Sequence, residues 1–340
     1  MTTACGHAQQ ASWTVRGGRA VTPAPPHPFV VFGIVNVTPD SFHDGGRYTT
    51  HEAAVTHALR LAAEGASVLD IGGESSRPYA EAVPLEEELA RVLPVVRGIR
   101  DGYAAHMAER AATHDQARAP GQAASQAASQ VAVDADTAPQ AVFPRPGGAP
   151  LLSVDTYKAG TAAAVLDEGV DIINDISACA YDPGLLDVVA HYQPGYVLMH
   201  SPGRPETMQD APAYANVVDA LLDFFHEKMD MLVRAGLPES RILLDPGIGF
   251  GKLTEHNFEI LRHIERFDSL GRPVLMGLSN KSLFGGLLDL GHGQRAGATQ
   301  VATALLAARG VLCHRVHDVA ETVRTLRLTQ AMAPAPRTEN

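Results

Sequence analysis

Cysteine is scarce in this 340-residue chain, and the three present (Cys5, Cys179 and Cys313) lie far apart, without CxxC spacing. That excludes a disulfide framework and a sequence-readable zinc site, and it suits a reducing cytoplasm. Long apolar runs are also missing: none approaches the roughly 18 residues that a membrane-spanning helix needs. The opening MTTACGHAQQ has no basic stretch leading into an apolar one, so it does not read as a secretory signal. Positive charge is in deficit. A formal net charge of −11 argues against a nucleic-acid partner. It leaves room for an anionic small molecule only if Arg and Lys converge at one place.

What is present fits an ordinary globular protein, 45% hydrophobic and 19% charged, long enough for one large domain or two smaller ones. SWTVRGGRAVT (12–22) predicts a short β-hairpin turning at Gly17-Gly18, and Pro23 to Pro28 form an extended linker. A pattern then repeats eight times: a short apolar run ends in a polar residue and a helical stretch follows. The runs are FVVFGIVN (29–36), SVLDIGGESSRP (67–78), PLLSVD (150–155), VDIIND (170–175), YVLMH (196–200), RILLDPG (241–247), PVLMGLSNK (273–281) and GVLCHRVH (310–317). HEAAVTHALRLAAEG (51–65), KAGTAAAVLDEG (158–169), residues 217–236 and QVATALLAARG (300–310) carry helical apolar spacing with Gly stops.

Near-continuous apolar strands alternating with helices predict a parallel sheet buried on both faces, and eight such units are the count of a closed (β/α)8 TIM barrel. The fold class is therefore α/β, with an N-terminal β-hairpin and linker (1–28), a single barrel domain (29–330) and a C-terminal tail (331–340). Residues 105–148, rich in Ala, Gln, Ser and Pro and poor in apolar bulk, read as a disordered surface insertion before the third barrel strand.

In such a barrel the chemistry sits at the C-terminal ends of the strands. The sequence puts Asn36, Ser76 and Arg77, Asp155, Asn174, His200, Asp245, Lys281, and Arg315 with His317 there. Taken singly, Asp155 or Asn174 also reads as a helix N-cap and Arg77 as a solvated rim charge. Eight strands ending in this way, with Arg, Lys and His among them, do not reduce to caps. Asp155, Asn174, Asp245 and Lys281 suit the edge of a flat heterocycle, since a carboxylate accepts two parallel N–H bonds from an amino-pyrimidinone. Asn36, Arg77, Arg315 and His317 suit a phosphate or diphosphate completed by a hard cation.

Three simpler motifs fail. GIGFGK (247–252) is not a P-loop, because Pro246 and Leu253 stand where Gly and Ser or Thr are required. GLSNK (277–281) is not a nucleophile elbow, and HEAAVTH (51–57) has its second His too late for a metalloprotease helix.

The stretches GIVNVTPDSFHDGG, LDIGGESSRP, SVDTYK, IINDIS, LMH, LLDPGIGFGK, GLSNKS and RVHDV, in this order over roughly residues 29–328, resemble the dihydropteroate synthase family. The resemblance implies a homodimeric barrel that joins 6-hydroxymethyl-7,8-dihydropterin diphosphate to 4-aminobenzoate, with Mg2+ as cofactor. It implies that Asp155, Asn174, Asp245, Lys281 and Met199 hold the pterin, that Asn36 ligates Mg2+, and that Ser76, Arg77, Arg315 and His317 serve the diphosphate. It further implies that Asp44 helps organise the cation, that Phe42 and Phe250 pack on the aminobenzoate ring, and that Ser282 binds its carboxylate. Asn36, Asp44, Lys281, Arg315 and His317 form the catalytic set. Two departures are visible: Ser76 where Thr is common, and Asn280 in SNKS where SRKS is usual. The second removes a guanidinium from the aminobenzoate side. A methyltetrahydrofolate methyltransferase on the same barrel would not need Arg77, Arg315 and His317, and a non-catalytic pterin binder is favoured only by Asn280.

Overall fold

The computed structural model describes residues 13–21, 29–38, 47–117, 149–210 and 212–333; for 47–50, 105–117 and 292 it describes the backbone alone. Eight parallel strands form the sheet: β3 (Val30–Asn36), β4 (Val68–Gly72), β5 (Leu151–Asp155), β6 (Ile172–Asp175), β7 (Gly195–Met199), β8 (Ile242–Asp245), β9 (Leu275–Met276) and β10 (Cys313–Val316). Their order is β8-β7-β6-β5-β4-β3-β10-β9, and a parallel bridge from Leu244 to Val274 joins the two ends into a barrel. Around it run α1 (Arg47–Ala63), α2 (Leu85–Ala117), α3 (Ala159–Asp167), α4 (Gly184–Tyr192), α5 (Val217–Ala235), α6 (Thr254–Arg262), α7 (Ser282–Leu288), α8 (Ala296–Ala307) and α9 (Val319–Met332). All eight predicted strands are present, each within the apolar run that announced it except β7, which starts one residue earlier at Gly195.

Strand alternation sorts the side chains into two cores. Val31, Val35, Leu69, Ile71, Leu152, Val154 and Ile173 face outward and pack with helix residues such as Leu61, Val96, Val165 and Phe225. Val30, Phe32, Val68, Leu151, Ile172, Val197, Leu243, Leu275 and Cys313 face the barrel axis. The apolar inner layers belong to the strand beginnings, and the same inward parity carried forward reaches polar residues at the strand ends.

The predicted N-terminal hairpin, β1 (Trp13–Val15) paired antiparallel with β2 (Arg19–Val21), contributes Trp13, Val15 and Val21 to that inner core. It closes the N-terminal mouth of the barrel. Trp13 stacks on Phe32 and its Nε1 donates to the Arg241 carbonyl at 2.7 Å. Gly17 and Gly18 both hold positive φ, as the turn between such short strands requires. Gly195 opens β7 because a Cβ there would crowd Val15 and Trp13.

One expectation is corrected. Residues 105–117, read as the start of a disordered insertion, continue α2 to Ala117. The segment GYAAHMAERAATHDQA is dense in strong helix formers, and no Pro interrupts it before Pro120. The rest of the proposed insertion, 118–148, lies outside the described residues, as do Phe42 and Asp44.

Candidate active site

The strand register sets one layer of the site: Asn36 pairs with Gly72, Gly72 with Asp155, and Asp155 with Asn174, while Met199 pairs with Asp245. Inward-facing residues at one level must share the barrel mouth. Arg315, two residues beyond the inward Cys313, completes the ring. Its Nε donates to Asp70 Oδ2 at 2.6 Å and its outer nitrogen to Asp155 Oδ2 at 2.9 Å. Asn174 Nδ2 also donates to Asp70 Oδ2, at 3.1 Å. A single guanidinium is thus bracketed by two carboxylates, a fixed geometry that a lysine could not provide.

Burial pushes the Asp155 carboxyl up to about 7, with Arg315 opposing and Asp70 and Glu88 adding to the rise. Asp245, buried at the end of β8, accepts the Gly247 N–H on Oδ1 at 2.8 Å, and burial raises its pKa too, against the pull of that bond and of Lys281 and Arg315. Lys281 caps the start of α7; burial lowers its amine to about 8 although Asp245 and Asp155 favour the charge. Its Nζ stands 4.4 Å from the centre of the Phe250 ring. Tyr157, Ile176 and Met199, with Tyr181 and Phe250 against them, form an apolar wall beside these charges. A small pocket opens among Ser76, Glu88, Asp155, Tyr157 and Ile176. Flat apolar sides with convergent charged groups at one edge are what a planar polar heterocycle needs.

The predicted residues therefore divide. Asp155, Asn174, Asp245, Lys281, Arg315, Met199 and Phe250 come together, and Asn36, half-buried, ends β3 beside Gly72. Ser76 lines the pocket. Ser282 and His317 are exposed on the rim, where the His317 ring bonds Ser279 Oγ at 2.9 Å. Arg77 is exposed on the loop after β4, and no side-chain bond ties it to the central cluster among the described residues. His200, buried, turns its Nδ1 to Lys252 Nζ at 2.9 Å and stays neutral, its pKa held at about 3 by burial and by Lys252.

Sequence reasoning passed over Asp70, Glu74, Lys158 and Lys252. Asp70 carried a signal: an acid inside an apolar strand, two residues before the strand end, must face inward on β4. Glu74 left none. Its carboxylate collects Tyr157 Oη (2.8 Å), the Val83 N–H (3.2 Å) and Lys158 Nζ, closing the base of the loop that bears Ser76 and Arg77.

Known proteins share both the sequence and the fold of this chain. A family model described as pterin binding enzyme matches residues 32–108 and 144–317, so its break falls within the segment read as an insertion. Dihydropteroate synthase of Escherichia coli (strain K12) is 35% identical over 309 residues, 91% of this chain and 93% of that protein. The structure of Xanthomonas albilineans dihydropteroate synthase with 4-aminobenzoic acid is 40% identical, with a TM-score of 0.75, covering 96% of this chain and all of that one. The same enzyme in complex with 7,8-dihydropteroate superposes with a TM-score of 0.71 at 39% identity, over 94% and 98% of the two chains. Matched over most of its length by fold and by sequence, this chain belongs to the pterin binding enzyme family, among the dihydropteroate synthases.

Proposed function

We infer that the protein condenses 6-hydroxymethyl-7,8-dihydropterin diphosphate with 4-aminobenzoate, giving 7,8-dihydropteroate and diphosphate. One observation carries this reading: Arg315 held between Asp70 and Asp155 at the barrel mouth, with Asp245 and Lys281 close enough to shift one another's protonation. Asp245 would take the amino-pyrimidinone edge of the pterin, its carboxylate accepting two ring N–H groups. Asn174 and Asp155 would meet the opposite part of the ring, and Lys281 would reach its oxygen or nitrogen acceptors while resting on Phe250. Met199 and Ile176 would cover a ring face.

No activated Ser or Cys nucleophile faces this pocket among the described residues, so the reaction is read as a substitution at the pterin methylene. The C–O bond to diphosphate breaks, its electron pair leaving with the diphosphate. The aminobenzoate nitrogen then forms the C–N bond and loses a proton. The dihydropterin ring shares the positive charge in between, so stabilising the departing anion dominates the barrier. Arg315, His317 and Arg77 would supply cationic donors to it. A lone amide oxygen at Asn36 suits Mg2+, which binds through few protein ligands plus substrate phosphates, and the ion would neutralise part of the leaving group's charge there. Phe250 and Ser282 would receive the ring and carboxylate of aminobenzoate. Asn280, at φ 57°, occupies a left-handed conformation that Asn tolerates well, and its N–H donates to Thr299 Oγ1 at 3.2 Å.

Leu287 and Leu288 on α7 and Val301 and Leu305 on α8 expose large apolar side chains, which supports a homodimer packed through these helices. No helix among the described residues is long and apolar enough to cross a membrane. Two buried free thiols, Cys179 and Cys313, suit a reducing cytoplasm.

The test is direct: purified protein, pterin diphosphate and Mg2+, with and without 4-aminobenzoate, following diphosphate and dihydropteroate together. Equal release of both products, dependent on the amine, is expected. Tight pterin binding with no C–N product would overturn the assignment in favour of a non-catalytic binder.

A further inference from the structure

The segment GIGFGK, rejected as a phosphate loop, ends in a lysine that no part of the proposed reaction uses. Lys252 is buried, and its ammonium meets no carboxylate among the described residues. It donates instead to the carbonyls of Gly247 (3.0 Å), Phe250 (3.0 Å) and His200 (3.3 Å), and faces His200 Nδ1 at 2.9 Å. These acceptors lie on two loops, one after β7 and one after β8. A buried amine with no carboxylate in contact is costly unless its N–H groups are bonded, and here they are. Burial lowers its amine to about 7, while Asp245 favours and Lys281 disfavours the charge.

The surroundings are shaped around this amine. A Cβ on Gly247 would overlap the His200 carbonyl, and one on Gly251 would overlap the Pro202 ring; both glycines hold positive φ. The loop is thereby pressed against residues 200–202. Two further loop carbonyls are taken by side chains, Gly249 by Gln209 Nε2 (2.7 Å) and Gly251 by Tyr214 Oη (3.1 Å). Asp245 does not depend on the amine for its place: it ends a ladder strand, and its own carbonyl accepts the His200 N–H at 3.0 Å. Phe250 lies in the irregular part of the loop, where its N–H donates to the Gly247 carbonyl at 3.0 Å, and both that carbonyl and its own accept from Lys252.

We propose that Lys252 is a positioning residue for the second substrate: by gathering Gly247, Phe250 and His200 around one ammonium, it sets where the Phe250 ring stands to receive 4-aminobenzoate. The proposal rests on the synthase reading given above, and wild-type turnover in the same assay tests that reading separately.

The experiment is a double-mutant cycle of Lys252→Met and Phe250→Ala, with steady-state constants for each substrate and a melting curve for every variant. Lys252→Met is expected to raise KM for 4-aminobenzoate about tenfold or more, the fold-change of one lost hydrogen bond from a charged donor. Its kcat and its affinity for pterin diphosphate should stay within about threefold of wild type. In the Phe250→Ala background the same substitution should add little, since both act on one contact. If Lys252→Met does not fold, Gly251→Ala, which keeps the amine but pushes the loop off Pro202, enters the cycle in its place. Additive effects in the cycle, an unchanged aminobenzoate KM, or an equal loss in pterin affinity would each overturn the proposal.

Discussion

Arg315 Nε donates to Asp70 Oδ2 at 2.6 Å, a bond between residues 245 positions apart. The two side chains enter the barrel from β10 and β4, with β3 between them. Asp70 is fully buried and Arg315 only partly so, so the aspartate acts as the fixed end and the guanidinium as the working end. From that depth Asp70 is placed to hold Arg315, and with it Asn174, at the barrel mouth.

Asp70→Asn should therefore act as a binding and catalytic lesion through Arg315. The amide keeps the shape but cannot answer the guanidinium's charge. A loss of roughly 10- to 100-fold in kcat/KM for pterin diphosphate is expected, the scale of one weakened charge-assisted bond. Steady-state kinetics at saturating 4-aminobenzoate check this, and an unchanged kcat/KM would remove Asp70 from the account.

Asp155 gives the site a pH dependence. Its carboxyl sits at about 7, raised by burial, and the ionised form, with two proton-free oxygens, is the stronger acceptor for a pterin N–H. Pterin affinity should fall as pH drops below about 7, approaching tenfold per unit, and Asp155→Asn should bind more weakly but with a flat profile. Stability runs the other way for this group. Its folded pKa lies above the unfolded value, so its contribution is present below about 4 and is lost as pH rises through about 7. Calorimetry and urea midpoints over this range separate the two signs.

His314, buried in β10 with its Nε2 on the Val311 carbonyl at 3.0 Å, is held neutral, its pKa lowered to about 4 by burial. The folded value lies below the unfolded one, so the contribution is present above about 6.5 and is lost as pH falls towards about 4. Stability should decline over that interval by up to about 1.4 kcal/mol per pH unit from this group. His314→Gln should flatten the decline, measured as urea midpoints against pH.

Trp13 should matter to folding and not to catalysis. It is almost fully buried, stacks on Phe32 and bonds the Arg241 carbonyl, all at the barrel end opposite the site. Trp13→Ala is expected to cost about 3–5 kcal/mol in chemical denaturation. The kcat/KM of the folded fraction should be unchanged; a selective loss of activity would mean that the plug communicates with the mouth.

Much of the architecture was legible because the information is local. A run such as FVVFGIVN can bury both faces only in a parallel sheet, and Gly17-Gly18 can serve the hairpin turn only by adopting positive φ. The end of α2 was misread because Ala-rich, apolar-poor sequence suits a solvated helix as well as a loop. Of the site, Asp155, Asn174, Asp245 and Arg315 could be found because polar residues closing apolar strands stand out, whereas Lys281 lies five residues beyond β9 at the start of α7. Lys252 and Glu74 could not. Each acts through backbone carbonyls or through partners on other loops, and nothing in GFGK or GGES says which atoms will surround them.

The sequence by itself determined the strand count and the hairpin turn, since apolar runs and φ preference operate over a few residues. The tertiary structure alone decided that Arg315 would lie between Asp70 and Asp155, that the hairpin would close the barrel floor, and that Lys252 would spend its charge on carbonyls. Those outcomes depend on barrel closure and burial, which bring distant segments to one level and strip them of water. No local stretch of chain encodes either.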